Sequence, residues 1–144
     1  MINISSVRDA IIDVISNIFT DRKVIRGYPI FIQQEELPVI FIAIPSIKYL
    51  SRTFGSHAYH LEVKLVFMYS AVNEHYKNDR GYETENKIYE DIQKLSMNLD
   101  RLSDFDEESY YLTYSGLTYK INLEREGLTR TLEATIEYIL SIKE

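Results

Sequence analysis

The chain has no cysteine and no tryptophan, and only three prolines, five glycines and three histidines in 144 residues. Without cysteine there is no disulfide framework, no thiolate nucleophile and no cysteine-held zinc. That fits a reducing compartment. The glycines are scattered singly, so neither the dinucleotide nor the phosphate-loop spacing occurs. No G-x-S-x-G nucleophile elbow is present either. No segment approaches the roughly 20 apolar residues of a membrane span. Near the N-terminus, Arg8, Asp9 and Asp13 interrupt the apolar run that a secretion signal requires. The expectation is a protein that acts in the cytoplasm where it is made, without a membrane.

Positive charge is also scarce. The net charge is −6 and the isoelectric point about 5.1, which argues against gripping a nucleic-acid backbone as the main task. Arg22, Lys23 and Arg26 lie close together, but the reading for them is a solvated loop. What is abundant is tyrosine, twelve in all. Tyrosine suits strands, and it suits interfaces because an apolar ring ends in a polar hydroxyl. A chain of this length reads as one domain, residues 1–144.

Periodicity orders the elements. Ile4, Val7, Ile11, Val14, Ile15 and Ile18 recur at helical spacing, predicting a helix over 4–19 with Asn3 as N-cap and Asp9 early enough to meet the helix dipole. Val24-Ile25 predicts a short strand before a Gly27-Tyr28-Pro29 turn. Ile30–Ile32 is a second apolar patch, and residues 33–36 a charged connection. Val39–Ile44 is a continuous apolar run, read as a central strand covered on both faces or lying at an interface. Pro45 ends or breaks it, with Ile47–Leu50 as a continuation and 51–56 as a loop. Residues 57–71 alternate strictly, Tyr59, Leu61, Val63, Leu65, Phe67 and Tyr69 on one face. At that length the strand should bend or project as an arm.

A polar turn over 73–81 precedes a helix over 82–100, with Ile88, Ile92, Leu95 and Leu99 inward and Glu83, Glu85, Glu90, Asp91 and Lys94 outward. Residues 104–108 read as an acidic loop. A hairpin closes the chain: one strand over 117–124, a turn at Arg125-Glu126-Gly127, and a second strand over 128–142. Gly116, inside the first of these strands, marks a bulge. The fold class is therefore α+β: a mostly antiparallel mixed sheet with two helices packed on one face.

The chemistry-bearing residues are weighed against plain structural roles. His57 and His60 are three apart on a strand, which puts them on opposite faces and prevents joint chelation. Glu133 and Glu137 share one strand face with Thr131 and Thr135, the pattern of a solvated face rather than of paired catalytic acids. No catalytic residue, cofactor or metal is expected. The segments 46–58 and 71–82, read as loops at the two ends of the long strand, carry Tyr49, Arg52, Tyr76 and Arg80. Tyrosine and arginine anchor interfaces, so these four are the candidate interface residues.

The order of segments resembles the phage tail terminator family, whose members include the minor tail protein that caps the tail of phage lambda. Three stretches carry the resemblance: the N-terminal helix leading into Val24–Phe31, the acidic step Glu35-Glu36-Leu37-Pro38 into Val39–Ile44, and the long strand Ala58–Ala71 with its polar break. The resemblance implies a structural protein of the virion tail, assembled in the host cytoplasm. It implies a homo-hexameric ring that binds the tail tube protein, stops tube growth and presents a surface to the head-completion or connector protein. It implies no enzymatic step. A closed ring needs a heterologous interface, and the long strand and the polar hairpin face are the expected halves. Two alternatives remain: another neck or tail-completion component or the cap of a contractile bacteriocin, and, from another class, a small ligand-binding regulator or enzyme.

Overall fold

The computed structural model describes residues 4–27, 37–53, 56–70, 82–122 and 129–143. In chain order the elements are α1 (Ile4–Ile18), β1 (Lys23–Arg26), β2 (Val39–Thr53), β3 (Ser56–Ser70), α2 (Tyr82–Met97), α3 (Asp100–Ser103), β4 (Asp104–Asp106), β5 (Tyr110–Asn122) and β6 (Thr129–Lys143). The strands form one six-stranded sheet in the order β1-β2-β3-β6-β5-β4. Among the described strands only β1 and β2 pair in parallel; the remaining pairs are antiparallel. The expected α+β fold with a mostly antiparallel mixed sheet is what forms.

The core follows from the alternation. Leu61, Val63, Leu65, Phe67 and Tyr69 of β3 and Leu132, Ala134, Ile136, Tyr138 and Leu140 of β6 are buried on one sheet face. Against that face pack Val7, Ile11, Ile15 and Ile18 of α1, Ile88 and Leu95 of α2, and Leu102 of α3. Phe19, just past α1, meets Phe67 edge to face at 5.1 Å between ring centres. Tyr138 reaches across the core to donate a hydrogen bond to the Leu102 carbonyl at 2.7 Å. A second, smaller apolar cluster is made by Val39, Phe41 and Val66, with Ile25 and Met68 against it. These residues alternate with the main core positions of β1, β2 and β3, so β2 is buried on both faces at its start, as its unbroken apolar run foretold.

Several sequence expectations are corrected. Pro45 does not end the second strand. The ladder shifts register between Ala43 and Ser46 and again between Tyr49 and Ser51, so β2 absorbs the proline at a bulge and runs on to Thr53. The described parts of the expected loop 51–56 are strand, 51–53 in β2 and Ser56 in β3, and β3 pairs with β6 along its whole length, so it ends within the sheet instead of projecting as an arm. The acidic loop 104–108 instead begins with β4, pairing Asp104–Asp106 with Tyr111–Thr113, because Phe105 turns inward against Tyr138. β5 starts at Tyr110, well ahead of the Gly116–Leu117 region where the alternation begins in the sequence. Gly116 does sit at a register shift. The helix over 82–100 is two helices, α2 and α3, separated at Asn98-Leu99. Asp9 lies in the second turn of α1 and pairs with Arg26 at 3.1 Å instead of serving the helix end. Asn3, residues 28–36, the 73–81 turn and the 125–127 turn lie outside the described residues.

Candidate functional site

Among the described residues, three exposed large apolar side chains cluster on the β2–β3 hairpin. β1 pairs only with Val39–Ile42, so beyond Ile42 no described strand lies along the outer edge of β2. There Ile47, Tyr49 and Leu50 are 47%, 50% and 43% exposed, unusual for three large apolar residues within four positions. Ile47 pairs with Leu61 and Tyr49 with Tyr59, and directly paired residues share a sheet face. Ile47 and Tyr49 therefore continue the core face past the point where the helices cover it. The Tyr49 ring is held edge to face against Tyr59 at 5.3 Å, and its hydroxyl lies 3.2 Å from Nδ1 of His57. That is a supported aromatic, the kind that loses little side-chain freedom when a partner covers it.

Of the four residues singled out from sequence, Tyr49 and Arg52 lie on this hairpin, on strand β2 rather than on a loop. Arg52 pairs with His57. Tyr76 and Arg80 lie outside the described residues. Ile47 and Leu50 escaped notice because they read as strand continuation; the signal lay in their following Pro45, beyond which the apolar run no longer has helices above it. Residues 43–61 carry Lys48 and Arg52 and no carboxylate, whereas Asp104, Asp106, Glu107 and Glu108 crowd the opposite edge.

His57 and His60 do fall on opposite faces. His60 lies 3.7 Å from Glu137, and Lys64 lies 3.9 Å from Glu133. These cross-strand pairs follow from the β3–β6 register, in which His60 neighbours Glu137 diagonally and Lys64 flanks Glu133.

A second constellation lies where the turn after α1 meets α2. Arg22, expected in a solvated loop, has a largely covered side chain, and Asp91, expected on the outer face of α2, is buried beside it. Arg22 Nη1 meets Asp91 Oδ2 at 2.6 Å, and Nη2 meets Oδ1 at 3.3 Å. The Tyr69 hydroxyl donates a short hydrogen bond to the same Oδ2. Arg22 also holds Asp21 through two 3.0 Å contacts and lies over the Phe19 ring at 5.3 Å. Burial works against the arginine charge, but the hydrogen bonds to Asp21 and Asp91 outweigh it and raise its pKa. Burial, reinforced by the hydrogen bond to Asp91, pushes the Tyr69 hydroxyl well up. A cleft of about 310 Å³ opens beside the group, bordered by Arg22, Tyr69, Lys87, Glu90, Asp91 and Lys94. Both Asp91 oxygens are already engaged, so the carboxylate serves as a clamp between α2, β3 and the α1–β1 turn rather than as a poised base. Among the described residues no three histidine or acidic side chains gather as a metal set, and no helix is long and apolar enough to cross a membrane. No protein-family model and no curated protein matches the chain.

Proposed function

We propose that this protein is a structural assembly protein of a phage tail, one that closes into a ring on the end of the tail tube, ends its growth and offers the opposite surface to the head. Self-assembly is the physical heart of the reading. The observation that carries it is the β2–β3 hairpin: Ile47, Tyr49 and Leu50 exposed together on a strand edge that no described strand covers. Monomeric proteins blunt such edges or cover them, and an apolar patch beside an open edge is a natural seat for another chain. The tail assignment is supported by the resemblance in segment order. Partners in this reading are further copies of the chain, the tail tube protein and a head-completion protein.

The test is functional. Tail tube protein polymerised in the presence of this chain should give tubes of arrested length with density on one end by electron microscopy. Tubes that grow unchecked and carry no cap would refute the tail assignment. The reading as a small ligand-binding regulator has one observation in its favour, the cleft beside Arg22, Lys87 and Lys94; its cations already face Asp21, Glu90 and Asp91 across the same opening.

A further inference from the structure

The two edges of the sheet are stepped, and the steps match. At one end of the sheet, among the described residues, the strands run β1-β2-β3-β6-β5; at the other they run β2-β3-β6-β5-β4. Each end is five strands wide. Where β1 stops, one edge steps inward to β2; where β4 stops, the opposite edge steps inward to β5. A second copy set alongside in the same orientation would place its β4 in the first step and receive β1 in its own.

The register fixes how these edges would meet. Lys48, His60, Ile139, Thr113 and Asp104 form one cross-strand row, with Lys48 at one edge and Asp104 at the other. Tyr49, Tyr59, Leu140, Leu112 and Phe105 form the next, and Ser51 and Asp106 end the row beyond. At the far end, Val24 of β1 shares a row with Ile121 of β5. Residues at the two ends of a row occupy the same sheet face, because every direct pair does. With no slide between copies, a cation therefore faces a carboxylate, an exposed tyrosine faces a half-buried phenylalanine on the helix side, and a valine faces an isoleucine.

We propose that copies of this chain join by sheet continuation, β2 and β1 of one copy against β4 and the open half of β5 of the next, with Lys48 meeting Asp104 and Tyr49 meeting Phe105. This deepens the assembly reading and rests on its premise that the chain self-associates. The interface is heterologous, and a join with no slide repeats by rotation without accumulating rise, the condition for a ring rather than a filament. The bulge at Leu50 interrupts a regular ladder, so the join depends on side chains as well as backbone. Charge favours this partner: residues 43–61 carry no carboxylate, and the edge they meet carries Asp104 and Asp106, followed by Glu107 and Glu108.

The test is a charge-swap cycle on the full chain, read as the concentration of half-assembly by light scattering and native mass spectrometry, with circular dichroism to verify folding. Lys48→Asp and Asp104→Lys each place like charges across the join and should raise that concentration at least ~tenfold, and the double variant should return it to within ~threefold of the unsubstituted protein. Tyr49→Ser, at a half-exposed position, should shift it in the same direction as the single swaps. If the unsubstituted protein assembles but the swaps change nothing, or the double is no better than the singles, the sheet join is wrong while self-assembly stands. If the unsubstituted protein stays monomeric throughout, both are overturned.

Discussion

Arg22 and Asp91 stand 69 residues apart in sequence, yet each leaves only 8% of its side chain to solvent. A buried ion pair is costly to break from one side, because the survivor is left charged without a partner. Arg22→Ala or Asp91→Ala should therefore each lower stability by about 3 kcal/mol or more, measured as a shift in the urea midpoint. Replacing the group as a unit, with Arg22→Met, Asp91→Leu and Tyr69→Phe together, should recover most of that loss, since volume-matched apolar groups leave no orphaned charge or hydroxyl. The spacing held a clue to this pair. Thr84, Ile88, Asp91 and Leu95 follow one another at three and four residues, so Asp91 lies on the buried stripe of α2. Its charge argued it outward, and only the fold brings Arg22 to it.

The ionisable groups give a second prediction at this scale. The hydrogen bond from Arg22 holds the Asp21 carboxyl below its ordinary value of 3.8. Its contribution is therefore present above that value and is lost as the pH falls through the lower, folded one. The tyrosines act in the opposite sense. Burial pushes Tyr69, Tyr110, Tyr119 and Tyr138 above the ordinary 10.0, so their contribution is intact below that value and lost as the pH climbs past it. An alkaline titration followed by tyrosinate absorbance should show the most buried, Tyr69 and Tyr138, ionising together with loss of the folded circular dichroism signal. Ionisation of all twelve near the ordinary value with the fold intact would contradict their burial.

At the scale of elements, strict periods were legible and phase changes were not. α1, β3 and β6 emerged within a residue or two of their bounds because one unbroken period runs through each. β2 and β5 each carry a bulge that moves their inward residues from one phase to the other. Ile40, Ile42 and Ile44 give way to Ile47 and Tyr49; Tyr110, Leu112 and Tyr114 give way to Leu117, Tyr119 and Ile121. A single alternating template fits only half of such a strand. Residues 51–56 looked like a loop because Ser51, Arg52, Thr53, Gly55 and Ser56 carry no apolar alternation. Backbone demands are sharper. Gly27 has φ +69° with nothing within 4 Å of an added Cβ, so Gly27→Ala should cost about 1 kcal/mol from backbone strain alone. At Gly116 a Cβ would approach only the Glu137 carboxylate, whose flexible end can move; Gly116→Ala should cost less than Gly27→Ala in the same denaturation assay.

At the scale of the molecule, charge and exposed surface are unevenly placed. Residues 83–108 hold nine carboxylates against three cations, whereas residues 43–61 carry Lys48 and Arg52 and no carboxylate. The helices and core of the α+β fold were readable from hydrophobic spacing. The candidate site was readable only in part: Tyr49 and Arg52 were marked by residue type, whereas the stepped edges and the Lys48–Asp104 row exist only once strand order and register are known. If opposite charges join the copies, assembly should weaken as salt rises, since exposed ion pairs are screened over roughly 10 Å at 0.1 M and over less at higher salt.

The proposed function stands on closure of this chain, copy against copy, into a ring. It is tested most directly by measuring the mass of the purified protein over a wide concentration range by light scattering, with negative-stain images of the largest species. The expected result is a discrete oligomer that images as a ring with a central hole, six-fold for a tail terminator. A strict monomer at every concentration, or an open-ended filament in place of a ring, would contradict it.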